Sequence, residues 1–102
     1  MTLADWLRDR TPAPPPRLAE RIHTVLAERV SRPANEAPEL CVDAAAELLH
    51  DLLDRPTGRA SALDLLAVDA LVTYAFEAAA SDPATVEARA AAAMSRLSLV
   101  TQ

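Results

Sequence analysis

Both histidines of the chain stand three residues after a glutamate, in Glu20-Arg21-Ile22-His23 and Glu47-Leu48-Leu49-His50. Carboxylate and imidazole are both ligands for divalent metals, and a spacing of three places such a pair on one side of a helix. Two further helical segments each carry a glutamate in their body, Glu77 and Glu87. If all these side chains converged inside a bundle, they would form a metal centre.

The set Glu20, His23, Glu47, His50, Glu77 and Glu87 resembles the ligands of the ferritin-like carboxylate-bridged di-iron family, and the resemblance implies a metal-binding carboxylate bundle. The helical angles oppose it. At about 100° per residue, Glu20 lies almost opposite the stripe of Leu18, Ile22, Val25 and Leu26, with His23 on its flank. Glu47 and His50 fall on the same polar face as Asp43 and Asp54, away from the apolar stripe of their own helix. Surface histidines beside acidic neighbours account for the pattern, and no cofactor or metal is expected.

Other catalytic chemistry lacks its sequence elements. One glycine in the whole chain rules out a glycine-rich phosphate loop, and no strand pattern is present to build a nucleophile elbow. The single cysteine, Cys41, sits among Leu40, Val42 and Ala44 and reads as a small buried hydrophobe, since no cation stands near to lower its pKa. The expectation is a protein without catalytic residues.

Composition narrows the partners. The net charge is −5, and all 10 basic residues are arginine. With no basic tract there is no footprint for a phosphate backbone, so nucleic acid is not expected. Arginine without lysine, beside abundant alanine, is the mark of GC-rich coding. The stretch from Ala62 to Ala80 is the most apolar, yet Asp64, Asp69 and Glu77 interrupt it, which argues against a membrane helix. The opening MTLADWLRDRT has no apolar core of a signal peptide. A cytoplasmic location is expected by default.

The elements that must position these residues are all helical. Thr2 with Asp5 reads as the cap of a short helix over 3–9 carrying Leu3, Trp6 and Leu7. Thr11-Pro12-Ala13-Pro14-Pro15-Pro16 ends it in an extended arm, and Pro16 opens a second helix to about Val30. After a loop over 31–37, Pro38 opens a third helix to about Asp54, with Leu40, Ala44, Leu48 and Leu52 as its stripe. Arg55-Pro56-Thr57-Gly58 closes it at a turn where the glycine would supply positive φ. Ser61 and Asp64 read as an acidic capping box for the fourth helix, which runs to Ala80 and is apolar on nearly every side, as if surrounded by others. Asp82 and Pro83 mark the start of a last helix with Val86, Ala90, Ala93, Met94 and Leu97 inward. The 102 residues therefore form a single all-α domain: a four-helix bundle over 16–102, with a short N-terminal helix and Pro-rich arm over 1–15.

Within the fourth helix, the segment Ala62-Leu63-Asp64-Leu65-Leu66-Ala67-Val68-Asp69-Ala70-Leu71-Val72-Thr73-Tyr74-Ala75-Phe76-Glu77 resembles a core helix of the trans-isoprenyl diphosphate synthases. It covers under a fifth of the chain, has Val68 where that family has glycine, and comes without the family's Asp-rich D-D-x-x-D motifs. Prenyl transfer is therefore not implied; the resemblance implies at most a degenerate relative that accompanies a full-length enzyme.

Two features bear on partners. Asp69, Thr73 and Glu77 recur every four residues as a polar seam, either a solvent-facing edge or a contact with Arg89, Arg96 or a partner. Leu3, Trp6 and Leu7 either fold back on the bundle as a lid or, held off by the proline arm, dock in another protein's groove. The function expected is a non-enzymatic interaction module or accessory subunit, binding a protein partner or a second copy of itself.

Overall fold

In a computed structural model, the backbone of residues 1–55, 58–81 and 86–101 is described. The chain is all-α: α1 Leu3–Arg8, α2 Pro16–Leu26, α3 Ala37–Leu53, α4 Arg59–Ala80 and α5 Val86–Ser98, with 3-10 turns at Ala27–Ser31, Ala34–Glu36 and Leu99–Thr101. A short N-terminal helix precedes a bundle of four longer ones, as the apolar periodicities predict. The boundary signals at Pro56, Asp82 and Pro83 lie outside the described residues.

Ion pairs give the directions. Arg21 of α2 shares Asp64 with Arg55 at the end of α3, whereas Arg29, two turns later, meets Glu47, two turns earlier in α3. α2 and α3 are therefore antiparallel. α4 returns along α3, and these two form the most extensive helix pair of the molecule. Arg89 and Arg96 of α5 meet Glu39 and Asp43 at 3.2 Å each, so α5 runs alongside α3 in the same direction.

α1 is built as its sequence dictates. Thr2 accepts from the Asp5 N–H, and the Asp5 carboxylate accepts from the Thr2 N–H at 3.0 Å, a reciprocal cap. The helix is then pinned to the segment after α2 by Leu3 N–H to the Arg32 carbonyl (2.8 Å) and Ala34 N–H to the Met1 carbonyl (3.0 Å). Leu3 is fully buried, and Trp6 and Leu7 pack against the core.

Several expectations are corrected. The second helix does not run to Val30. It ends at Leu26, because Ala27 turns to φ 54°, ψ −130° before the chain continues as a 3-10 turn. That corner is normally held by glycine; the turn is what delivers Arg32 and Pro33 to α1. Gly58 has φ 173°, ordinary extended backbone, and serves as the N-cap of α4. The fourth helix starts at Arg59 and makes no side-chain cap, so the Ser61/Asp64 capping box does not form. In α5, Ala93 and Leu97 pack inward, but Met94 is exposed, about 100° around the helix from Ala93.

The core is made of Leu3, Ile22, Leu26, Cys41, Leu48 and Leu71 with many alanines. α3 is the more enclosed helix: one side of it (Ala37, Cys41, Ala44, Ala45, Leu48) and the adjoining side (Val42, Ala46) are both buried. α4, predicted to be surrounded, is not.

Candidate functional site

α4 buries Asp64, Ala67, Leu71, Tyr74, Ala75, Ala78 and Ala79. The opposite face lies open along its length, carrying Ala62, Leu65, Leu66, Asp69, Thr73, Phe76, Glu77 and Ala80. Leu65 is 53% exposed, Leu66 54% and Phe76 40%. At about 100° per residue these positions share a sector about 120° wide. Asp69 and Thr73 of the polar seam thus lie at the centre of a largely apolar strip and Glu77 at its edge, with Leu65, Leu66 and Phe76 exposed beside them.

The seam residues are occupied locally. The Thr73 hydroxyl donates to the Asp69 carbonyl at 2.9 Å. Glu77 faces Arg10 at 3.7 Å, and Arg10 in turn lies over the Trp6 ring, its guanidinium carbon 3.9 Å from the ring centroid. Trp6 meets Tyr74 edge to face at 6.0 Å. Burial, with the Glu77 charge added, raises the Tyr74 hydroxyl above its ordinary pKa. Leu3, Trp6 and Leu7 therefore sit on the bundle, and Arg10 fastens the edge of the strip to them. Arg89 and Arg96 pair with the acidic face of α3, not with the seam.

Beside the strip, α3, α4 and α5 enclose an open cleft of about 410 Å³, with Val42, Ala75, Ala79 and Ala93 in its walls and the Glu39–Arg89 and Asp43–Arg96 pairs at its rim. Phe76 lines this cleft and also belongs to the strip.

The residues of the possible metal set are not brought together. Glu20, His23, Glu47, His50, Glu77 and Glu87 are all exposed. Glu47 pairs with Arg29 at 2.7 Å, and His50 lies 3.9 Å from Asp54. Among the described residues no group of His, Cys, Asp or Glu is placed to hold a metal ion. Cys41 is fully buried, and burial pushes its thiol up to about 12, which leaves it protonated and unreactive.

Sequence reasoning missed Asp64. Its side chain is 5% exposed and takes Arg21 Nε at 2.6 Å, Arg21 Nη2 at 3.3 Å and Arg55 Nη2 at 2.8 Å. Burial pushes its pKa up, but the hydrogen bonds and charges of the two arginines outweigh this and hold it below the ordinary carboxylate value. The group ties α2, the end of α3 and the start of α4 together. A signal was present: Asp64 lies in register with Ala67, Leu71, Ala75 and Ala78, on the face opposite Asp69, Thr73 and Glu77.

Comparison with protein-family models, with curated proteins and with solved structures yields no match to this chain. No described helix is long and apolar enough to cross a membrane.

Proposed function

We propose that this protein is a non-enzymatic helical interaction module, a self-associating unit or accessory subunit, that works through the open face of α4. The observation that carries the reading is the exposure of Leu65, Leu66 and Phe76 in one sector of a helix whose other faces are packed. Scattered exposed leucines are ordinary on a protein surface; a run of them along one helix face is the form of a contact surface. The acidic net charge and the segregated charges of α3 suit a protein partner better than a nucleic acid.

The test uses the thiol of Leu66→Cys as a reporter in the otherwise silent background of buried Cys41. In cells producing the full chain, maleimide labelling at position 66 is expected to be at least tenfold slower than in the dilute purified protein. Equal labelling in both settings refutes the reading.

A further inference from the structure

The open face of α4 has a symmetry of its own. Ala62, Leu66, Asp69, Thr73, Phe76 and Ala80 follow one another at spacings of four and three, the seam of a paired helix. They run for about 27 Å at 1.5 Å per residue. Read from either end, the seam has the same character: alanine, large apolar, polar, polar, large apolar, alanine. From this we infer that α4 pairs with α4 of a second copy, antiparallel, about a two-fold axis level with Leu71; this rests on the reading of α4 as the contact surface.

The pairing matches like with like in every layer. Ala62 meets the Ala80 of the second copy, which lets the helix ends approach closely. Leu66 meets Phe76, and Leu65, on the edge of the strip, lies beside the same Phe76. Asp69 meets Thr73, whose hydroxyl can turn from the Asp69 carbonyl of its own helix to the carboxylate of the other. An isologous contact of this kind closes on itself and stops at two copies.

Charge selects the antiparallel arrangement. In a parallel pair Asp69 would stand level with Asp69 and Glu77 level with Glu77, two like-charge layers inside one short seam. In the antiparallel pair the two Asp69 residues are offset by four residues, about 6 Å along the axis, and the Glu77 residues lie near opposite ends, each still beside its own Arg10. Two helix faces of this length bury on the order of 1,000 Å² in total, the low end for a specific interface, where reversible association is the rule.

Purified full-length protein decides this in two measurements. Sedimentation velocity from about 1 to 200 µM is expected to show a monomer–dimer equilibrium, shifted at least tenfold toward monomer by Leu66→Ser and by Phe76→Ser. Both positions are exposed, and far-UV ellipticity confirms that each variant folds; Leu66, the more exposed, stands as the test if Phe76→Ser does not. Separately, Ala62→Cys chains are mixed with Ala80→Cys chains and treated with a short bis-maleimide. The mixed 62–80 product is expected, with little 62–62 product, because those positions lie about 27 Å apart in the antiparallel pair. A dominant 62–62 product overturns the antiparallel pairing but leaves self-association standing. A monomer at every concentration overturns pairing with a second copy, and if position 66 is nonetheless protected in cells, the reading of α4 as a contact surface survives with another partner.

Discussion

Replacing Asp64 tests the main polar tie of the bundle. In Asp64→Ala, a side chain 5% exposed loses three hydrogen bonds with Arg21 and Arg55. Breaking a buried ion pair from one side costs about 3–5 kcal/mol when the remaining charge stays buried. Here the remaining charges do not: the Arg21 and Arg55 side chains are 31% and 42% exposed and can recover water. Solvent screening therefore discounts the loss, and about 2–3 kcal/mol is expected at pH 7. At about 4–8 °C per kcal/mol for a domain near this size, the midpoint falls by roughly 10–20 °C. The pH dependence has a definite sign. The folded pKa of Asp64 lies below its ordinary 3.8, so the folded state binds fewer protons there than the unfolded chain. Its stabilising contribution is complete above the ordinary value and is lost as the pH falls through the range beneath it. Urea unfolding of wild type and Asp64→Ala, followed by far-UV ellipticity, should show a constant gap from pH 5 to 8 that narrows below about pH 4. A gap under about 0.5 kcal/mol at pH 7, or one that widens in acid, refutes the assignment.

Other outcomes follow from the packing. Ala27→Gly should stabilise the protein by about 0.5–1 kcal/mol, because relief of the left-handed strain exceeds the added freedom of the unfolded chain; a lower urea midpoint would contradict it. Leu3→Ala should cost about 3 kcal/mol, as truncation of a fully buried leucine does, and Trp6 emission of the wild type should lie to the blue of the free indole until α1 is released by denaturant. Leu66→Ser should change the stability of the isolated monomer by less than about 0.5 kcal/mol, measured at a concentration well below that of association, while weakening association itself. Cys41 should resist thiol reagents at pH 8 and react only as the protein unfolds, its pKa being pushed up to about 12.

Local chemistry made much of the fold legible. Pro16 and Pro38 opened helices where their missing N–H costs nothing, Thr2 and Asp5 formed the cap their spacing requires, and the stripes of α2 and α3 pointed inward. Errors arose where a distant contact overrode a local pattern. The α2 stripe continues through Val30, yet the helix stops at Ala27 because Arg32 and Pro33 are needed beside α1. Ser61 and Asp64 have the spacing of a cap, yet Asp64 is taken by arginines 43 residues before it and 9 before it in the chain.

The glutamate–histidine pairs divide the two levels in the same way. Their angles alone placed Glu20, Glu47 and His50 off the apolar stripes, because a helix fixes which residues share a face. For α4 the sequence determined its end at Ala80, its apolar character and the seam of Asp69, Thr73 and Glu77. Only the tertiary structure decided which of its apolar faces is covered. A helix that is hydrophobic nearly all round carries little angular signal of its own, so the choice fell to what packs beside it: the short α1, the early end of α2 and the lean of α5 toward α3 left Leu65, Leu66 and Phe76 in the open.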